Sequence, residues 1–206
     1  MGKYIKSYHL FVSSPLARIG LYVLYPVFLF LINAVMTYFS SNFIFSLAIT
    51  MILMCAIELV ADHDIYGGIA NRDTNKLEYL KTSCNGMNLL FCSVIVDAIR
   101  RFLSISIIVT LLYSQHVSVV ALFTIIFSML FLIELGLIIC RLTYMIQIAF
   151  AITSLLQLFI IWLTVLIALN LLPIWAPILC LILWLSITCL GRYIIMKTAR
   201  KSYYDK

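Results

Sequence analysis

Long apolar runs limit most strongly how this chain can fold. Stretches of roughly 20 residues with very few charges recur along the sequence, and a helix of roughly 20 apolar residues crosses the ~30 Å hydrocarbon core of a bilayer. Lipid offers no hydrogen-bond partner to the backbone, so each span is predicted to be an α-helix. We therefore predict an all-α polytopic membrane protein with six transmembrane helices, at residues 16–39, 43–60, 88–113, 119–140, 145–169 and 172–193.

The composition supports this class and leaves little chain for anything else. Only 11% of the 206 residues are charged and 65% are hydrophobic, whereas soluble domains carry about 25% charged residues. We predict a single transmembrane domain over residues 1–206. Its predicted parts are an interfacial helix at 1–14, spans one and two within 16–60, a cytoplasmic loop at 61–87, spans three to six within 88–193, and a basic cytoplasmic tail at 194–206.

Charge placement predicts the orientation. Residues 40–42, 114–118 and 170–171 contain no Asp, Glu, Lys or Arg, and basic residues favour the cytoplasmic side of a membrane. With these three loops outside, all 14 basic residues lie on the inner side or in the inner part of a span. We expect a multi-pass protein of the cell (plasma) membrane with both termini cytoplasmic. The net charge of +6 then reflects orientation and contact with anionic lipid rather than nucleic-acid binding.

Cysteine and histidine positions point away from metal chemistry. None of the six cysteines falls in a predicted outer loop, and no Cys/His spacing is typical of a zinc site. The run Asp62-His63-Asp64 points its side chains in three directions if it is helical, which disfavours a metal site. We expect no metal and no catalytic residue on this chain.

The N-terminal segment "KYIKSYHLFVSS" is amphipathic at helical period. Tyr4, Tyr8 and Phe11 share one face, while Lys3 and Lys6 lie away from it. Such a segment suits a helix lying in the inner interface of the membrane.

One long polar stretch, "DIYGGIANRDTNKLEYLKTSCNG", separates spans two and three. Gly67-Gly68 is predicted to end the second helix, because glycine is costly inside helices. Asn75 and Glu78 have the spacing of a capping box, and Asn85-Gly86 favours a helix end. The two-turn helix "KLEYLKTS" at 76–83 is too short to be stable alone. It needs a docking surface, either on a partner protein or on the membrane.

These features together resemble the permease subunit of ABC-2-type exporters, of the small six-span bacterial type. The resemblance implies that residues 1–14 form a connecting helix and that the loop helix couples the chain to a separate ATP-binding subunit. The implied ATPase-coupling residues are Asn75, Lys76, Leu77, Glu78, Tyr79, Leu80 and Lys81.

The same resemblance implies the partners. They are a dimeric ABC ATP-binding subunit, a second permease subunit that is identical or related, and the lipid bilayer. The sequence contains no G-x-x-x-x-G-K-[ST] phosphate-binding loop. ATP and Mg²⁺ are therefore expected on the partner ATPase, with no cofactor on this chain and no enzyme activity of its own.

Charges within the spans need a physical reason, because each costs roughly 2.5–3.5 kcal/mol at a helix centre. Asp97 lies three and four residues before Arg100 and Arg101, which allows pairing along one helix. The buried part of span three would then begin near residue 99, with arginines snorkelling inward. Glu134 is expected to face an arginine of span three or a wet cavity. Structural pairing and a role in proton or substrate binding both stay open.

Span five carries a polar stripe. Thr143, Gln147, Thr153, Ser154, Gln157 and Thr164 fall within about a third of a helical circumference. The stripe forms either hydrogen bonds between helices or the wall of a substrate path. The candidate path residues are Gln147, Ser154, Gln157 and Thr164.

The function predicted from these features is that of an ABC transporter permease subunit, which moves an amphipathic substrate (a bacteriocin-like peptide or a lipid-like molecule) across the cell membrane. A substrate-binding subunit of a vitamin uptake transporter is an alternative, disfavoured by the very small outer loops. An intramembrane enzyme is a further alternative. It is disfavoured because the spans lack paired Glu or His at helical spacing and a rhomboid-like G-x-S with a span histidine.

Overall fold

The fold of the described residues is entirely helical apart from short connections. A computed structural model describes Lys6 and residues 19–39, 43–70, 86–143, 146–168 and 171–204, and no strand occurs among them. A π-helical stretch, Gly20–Leu24, leads into the first α-helix. The helices are α1 (Tyr25–Phe39), α2 (Phe43–Ala70), α3 (Gly86–Tyr113), α4 (Val119–Thr143), α5 (Ile146–Ala168) and α6 (Ala176–Tyr204). The predicted all-α class is confirmed for this part of the chain.

Within the part of the chain that the structure describes, three helices are long and apolar enough to cross a membrane. They cover Tyr22–Phe39, Val119–Ile139 and Ala176–Ile194. Phe43–Leu59 and Leu158–Ile167 are shorter apolar stretches. The composition and length of these helices are those of a membrane protein.

Helix α4 lies at the centre of the bundle. It contacts α2, α3, α5 and α6, and 67% of its apolar window is buried, against 11% for the windows in α1 and α6. A helix that is apolar all round fits this central place. Helices α1 and α6 are peripheral and turn most of their apolar side chains outward.

The outer surface of the bundle is apolar. Leu31, Leu158 and Ile182, on α1, α5 and α6, are each more than half exposed, and many neighbours on the same helices resemble them. Monomeric soluble proteins rarely expose contiguous apolar patches larger than a few hundred Å². An apolar surface of this kind is suited to contact with lipid.

Two glycines allow close helix packing in the interior. A Cβ on Gly191 of α6 would lie 2.8 Å from Ile138 Cδ1 of α4, and a Cβ on Gly136 of α4 would lie 2.9 Å from Leu59 Cδ2 of α2. Small residues at such contacts let helix backbones approach each other in membranes. These positions fix how α2 and α6 sit against the central helix.

The start of α2 and the turn between α3 and α4 lie at the same end of the bundle. The ring of Phe43, at the start of α2, stacks on His116 in the turn between α3 and α4, with ring centroids 5.7 Å apart. Residues 40–42 directly precede Phe43 in the chain. This end is the one that the charge pattern predicts to be outside.

The expected helix break at Gly67-Gly68 was wrong. Helix α2 continues through both glycines to Ala70. Glycine costs only about 1 kcal/mol relative to alanine, and in a helix of 28 residues the continuing backbone hydrogen bonds outweigh that local preference. Thr143 ends α4, so it belongs to the fourth helix rather than to the stripe on the fifth.

Several predicted elements lie outside the described residues. These are most of the interfacial helix at 1–14 and the coupling helix at 76–83. The predicted tail at 194–206 is helical up to Tyr204, as part of α6. At 1.5 Å per residue the 29 residues of α6 extend about 43 Å, which exceeds the ~30 Å hydrocarbon core.

Candidate functional site: a buried ion cluster

Among the described residues, five charged side chains meet inside the apolar bundle. Glu58 comes from α2, Asp97, Arg100 and Arg101 come from α3, and Glu134 comes from α4. Each is between 1% and 8% exposed. We call these five residues the ion cluster.

The centre of the ion cluster is one turn of α3. Asp97 Oδ1 accepts a hydrogen bond from Arg100 Nε at 3.1 Å, and Asp97 Oδ2 accepts one from Arg101 Nη2. Asp97 thus holds both arginines at the helical spacings i+3 and i+4, at which side chains meet. Consecutive residues on a helix point about 100° apart, so the two guanidinium groups reach different neighbouring helices.

Arg100 joins α3 to α2 through a bidentate ion pair with Glu58. Its Nη1 donates to Glu58 Oε1 at 3.0 Å, and its Nη2 donates to Glu58 Oε2 at 2.6 Å. Parallel contacts of this kind between arginine and a carboxylate are stronger and more directional than a single contact.

Arg101 joins α3 to α4. Its Nη1 donates to Glu134 Oε1 at 3.0 Å, and its Nε lies 3.8 Å from Glu58 Oε2. Contacts of Arg101 therefore reach three helices. An isolated charge in the low-dielectric interior is very costly, and these contacts supply the compensation that makes burial of the arginines possible.

A tyrosine from α1 borders the ion cluster. Tyr25 is 4% exposed, and its hydroxyl is within electrostatic range of Glu58 and Arg100. That hydroxyl makes no hydrogen bond of ordinary geometry among the described residues. Tyr25 thus adds a polar group beside the ion cluster, and its side-chain partner there is Glu58.

A second, uncharged polar centre lies nearer the end of the bundle that carries Phe43 and His116. Asn33 Nδ2 of α1 donates to Ser46 Oγ of α2 and to Tyr113 Oη of α3, both at 2.6 Å. Tyr113 Oη donates to Thr50 Oγ1 at 3.0 Å. We call these four residues the polar knot. It ties α1, α2 and α3 together.

An apolar layer separates the two polar centres. Ser46 and Glu58 are twelve residues apart on α2, and Arg101 and Tyr113 are twelve residues apart on α3. At 1.5 Å per residue both separations are about 18 Å. Leu47, Met51, Met54, Ile105 and Ile108 lie between them in sequence, and all are at most 2% exposed. The ion cluster is therefore deep in the bundle.

Part of this site follows the sequence predictions. Asp97 pairs with Arg100 and Arg101, and Glu134 pairs with an arginine of the third helix, as expected. The expected snorkelling of the arginines was wrong, because both side chains are buried and their charged groups contact carboxylates.

Glu58 and the polar knot were missed as site residues. Glu58 is the single acid in the apolar run 43–60, and a lone acid in such a run was the available signal. The hydroxyl and amide groups of the knot gave no comparable signal, because such groups are common in spans.

The predicted substrate path is described only at Thr164. This residue is buried, and its hydroxyl donates to the backbone carbonyl of Ile161 at 2.7 Å, so its hydrogen bond is within its own helix. The side chains of Gln147, Ser154 and Gln157 lie outside the described residues, as do the coupling residues 75–81.

Comparisons with known proteins identify no family. The chain matches no family model, no curated protein and no solved structure. The geometry of the bundle and the chemistry of its buried charges therefore carry the functional argument.

Proposed function

We propose that this chain is a six-span permease subunit that carries an amphipathic substrate across the cell membrane and is driven by a separate ATP-binding subunit. The observation that carries the proposal is the ion cluster. Ionisable side chains inside a membrane bundle are costly and mark transport pathways or the elements that move them. Here they lie on α2 and α3, which flank the polar loop, and on α4.

The lengths of the helices support six spans. Helices α2 to α6 contain between 23 and 29 residues, which corresponds to about 35–43 Å at 1.5 Å per residue. Each exceeds the ~30 Å that a span requires. The π-helical stretch adds five residues to the 15 of α1, and together they extend far enough for a first span.

The ion cluster suggests how force would pass from the loop to the membrane helices. Residues 71–85 connect α2 with α3, and Arg100 fastens these two helices through Glu58. Arg101 fastens α3 to α4 through Glu134. A displacement of the loop by an ATPase would move α2, α3 and α4 as one body. Rigid rotation of such a unit is a known way to alternate access to a site.

The coupling part of the proposal is tested on the loop. The chain is extracted from the membrane of its host with its partners, and co-purifying proteins are screened for a P-loop subunit whose ATPase activity it changes. We expect Leu77→Asp combined with Leu80→Asp to abolish retention of that subunit. Gln115→Asp, which places an acid in the turn at the opposite end, is the control and should retain it.

The outcome that contradicts coupling is equally specific. If the wild-type chain retains no ATPase, or if the Leu77 and Leu80 double variant retains it at wild-type level, the loop is not a coupling element.

The substrate path is tested on α5. Gln147→Leu and Gln157→Leu should change transport or the basal ATPase activity of the complex, because they remove two polar groups from the predicted wall. If assembly and both activities stay at wild-type level, the stripe serves packing alone.

Topology is tested by labelling single cysteines in a variant that lacks the six native ones. Gln115→Cys should react with a membrane-impermeant maleimide on intact cells, because its turn is predicted to be outside. Lys197→Cys should react only after permeabilisation. Equal labelling of both positions on intact cells would exclude the proposed orientation.

A further inference from the structure

We propose that the C-terminal part of α6 binds the headgroup of an anionic phospholipid on the lipid-facing side of that helix. Such a site differs from the general attraction between a chain of net charge +6 and anionic lipid, because it lies on one face of one helix. It requires that α6 crosses a bilayer, and it is independent of the transport role.

The length of α6 brings its basic residues to the depth of lipid headgroups. The apolar window of α6 ends at Ile194 and contains 19 residues, which extend about 28 Å and match the ~30 Å hydrocarbon core. The helix continues to Tyr204. Lys197 and Lys201 therefore lie about 4 and 10 Å beyond the apolar part. The headgroup layer on each side of a bilayer is about 5–8 Å thick, so these positions lie in it or at its edge.

The helical register places three basic positions on one side of α6. At about 100° per residue, Arg200 lies about 60° and Lys201 about 40° from Lys197, in opposite directions around the helix. We call Lys197, Arg200 and Lys201 the basic face. The Lys197 side chain is exposed. Tyr193 is on the same side of the helix and is 64% exposed, and tyrosine is enriched where membranes meet water.

The basic face continues the lipid-facing side of the apolar part of α6. Leu179 and Leu190 are exposed, and both lie within about 20° of Lys197 in the helical register. The packed side is elsewhere, because Gly191 and Thr188 are buried and lie about 120° and 180° from Lys197. A lipid whose acyl chains lie along Leu190 therefore has its headgroup next to the basic face.

The central helix does not reach as far as the basic face. Helices α4 and α6 run in the same direction, since Phe127 stacks on Trp184 and Ile138 meets Gly191 further along both helices. Helix α4 ends at Thr143, five residues after Ile138. Counted from this contact, residues 197–204 of α6 lie beyond the end of α4. The basic face is thus on a part of α6 that extends past the helix on which α6 packs.

An anionic lipid complements this surface better than a zwitterionic lipid or a soluble anion does. Each Lys or Arg near an anionic membrane surface strengthens binding about fivefold. A zwitterionic headgroup gains less, because its own ammonium group offsets the phosphate. A soluble phosphate contacts the basic face alone, whereas a lipid also contacts the apolar residues that continue it.

Quenching of a single tryptophan by brominated lipid tests the site. Bromine atoms on an acyl chain quench tryptophan fluorescence at contact, so the quenching reports which lipid lies beside the reporter. Trp162, Trp175 and Trp184 are replaced by phenylalanine, and Leu190→Trp is the reporter beside the basic face. The full chain is reconstituted in phosphatidylcholine vesicles that contain the same minor fraction of brominated phosphatidylglycerol or of brominated phosphatidylcholine.

We expect brominated phosphatidylglycerol to bind beside Leu190→Trp at least about fivefold more tightly than brominated phosphatidylcholine at low salt. Replacement of all three residues of the basic face by glutamine should bring the two affinities together. Leu111→Trp is the matched reporter. It is exposed at the other end of the bundle, beside the uncharged turn 114–118, and should show no preference in any variant.

A variant of identical composition separates the basic face from general charge attraction. Each basic residue is exchanged with a neighbour, which moves the charges to positions about 100–160° from Lys197. The substitutions are Lys197→Thr, Thr198→Lys, Ala199→Arg, Arg200→Ala, Lys201→Ser and Ser202→Lys. We expect the preference for phosphatidylglycerol to be lost as in the glutamine variant, although the net charge is unchanged. Circular dichroism checks that the variant is folded, and the glutamine variant decides if it is not.

Four results would overturn the proposal. The first is equal quenching by the two brominated lipids beside Leu190→Trp in the chain with an intact basic face. The second is a preference that the exchanged variant retains, which would leave only general charge attraction. The third is an equal preference at Leu111→Trp. The fourth is a preference that inorganic phosphate removes at constant ionic strength, which would make the basic face a site for a soluble anion.

Discussion

Removal of Arg100 gives the sharpest test of how the bundle is held together. Its guanidinium group donates to both oxygens of Glu58 and to Asp97. Replacement by glutamine removes the main partner of Glu58 and one of the partners of Asp97, and it raises the net negative charge of the described cluster from one to two. Breaking a buried ion pair on one side costs about 3–5 kcal/mol. We expect Arg100→Gln to lower the free energy of unfolding by about that amount.

The expected loss of stability in Arg100→Gln can be measured as a shift in Tm. For a chain of this length, 1 kcal/mol corresponds to a shift in Tm of about 2–4 °C, so Tm should fall by about 6–20 °C. The assay is unfolding in mixed micelles, followed by tryptophan fluorescence or circular dichroism. Lys197→Gln removes an exposed positive charge from α6 and serves as the control, with an expected change within about 0.5 kcal/mol.

A double variant separates the ion pair from general damage. Glu58→Gln combined with Arg100→Gln restores the net charge of the described cluster, and the two amides keep hydrogen-bonding groups. We expect the double variant to be more stable than Arg100→Gln alone. The reasoning is refuted if Arg100→Gln unfolds like wild type, or if adding Glu58→Gln costs further stability instead of restoring it.

Two further predictions concern packing and the polar knot. Tyr113→Phe removes the hydroxyl that bonds Asn33 and Thr50, so the free energy of unfolding should fall by about 1–3 kcal/mol. The control, Tyr193→Phe, is at an exposed position and should leave the free energy of unfolding unchanged. Equal effects of the two variants would exclude the polar knot as a source of stability. Gly191→Val inserts atoms where Ile138 already lies at 2.8 Å and should cost about 1–3 kcal/mol by overpacking, whereas Gly20→Val has open space. An unchanged unfolding midpoint for Gly191→Val would show that α6 does not pack on α4 as described.

The sequence predicted the class of fold and four of the five residues of the ion cluster for identifiable reasons. A charge in an apolar run is costly wherever the helix packs, so Asp97, Arg100, Arg101 and Glu134 stood out without any tertiary information. Pairing within α3 follows from helical spacing alone. The partner of Arg100 depends on which helix lies beside α3, and that is set by side-chain packing between helices, which no local pattern encodes.

The errors in the prediction have the same origin. Gly67-Gly68 signalled a break because glycine disfavours helix locally, yet the helix continues to Ala70. Burial of the arginine guanidinium groups was unexpected, because snorkelling towards the membrane surface was assumed to cost less free energy than burial in the bundle. Both outcomes depend on the energy of the whole helix or bundle, which single-residue preferences do not contain.

The distribution of charge along α3 has a consequence for how the protein is made. Asp97, Arg100 and Arg101 would together cost roughly 7.5–10.5 kcal/mol if α3 entered lipid alone, at about 2.5–3.5 kcal/mol for each charge. Glu58 has already been synthesised when α3 emerges from the ribosome, but Glu134 has not. Helix α3 should therefore pair with α2 beside the insertion machinery and stay there until α4 arrives to cover Arg101. A chain truncated after Tyr113 should be retained there or degraded, while a chain that ends after α4 should be released into the bilayer.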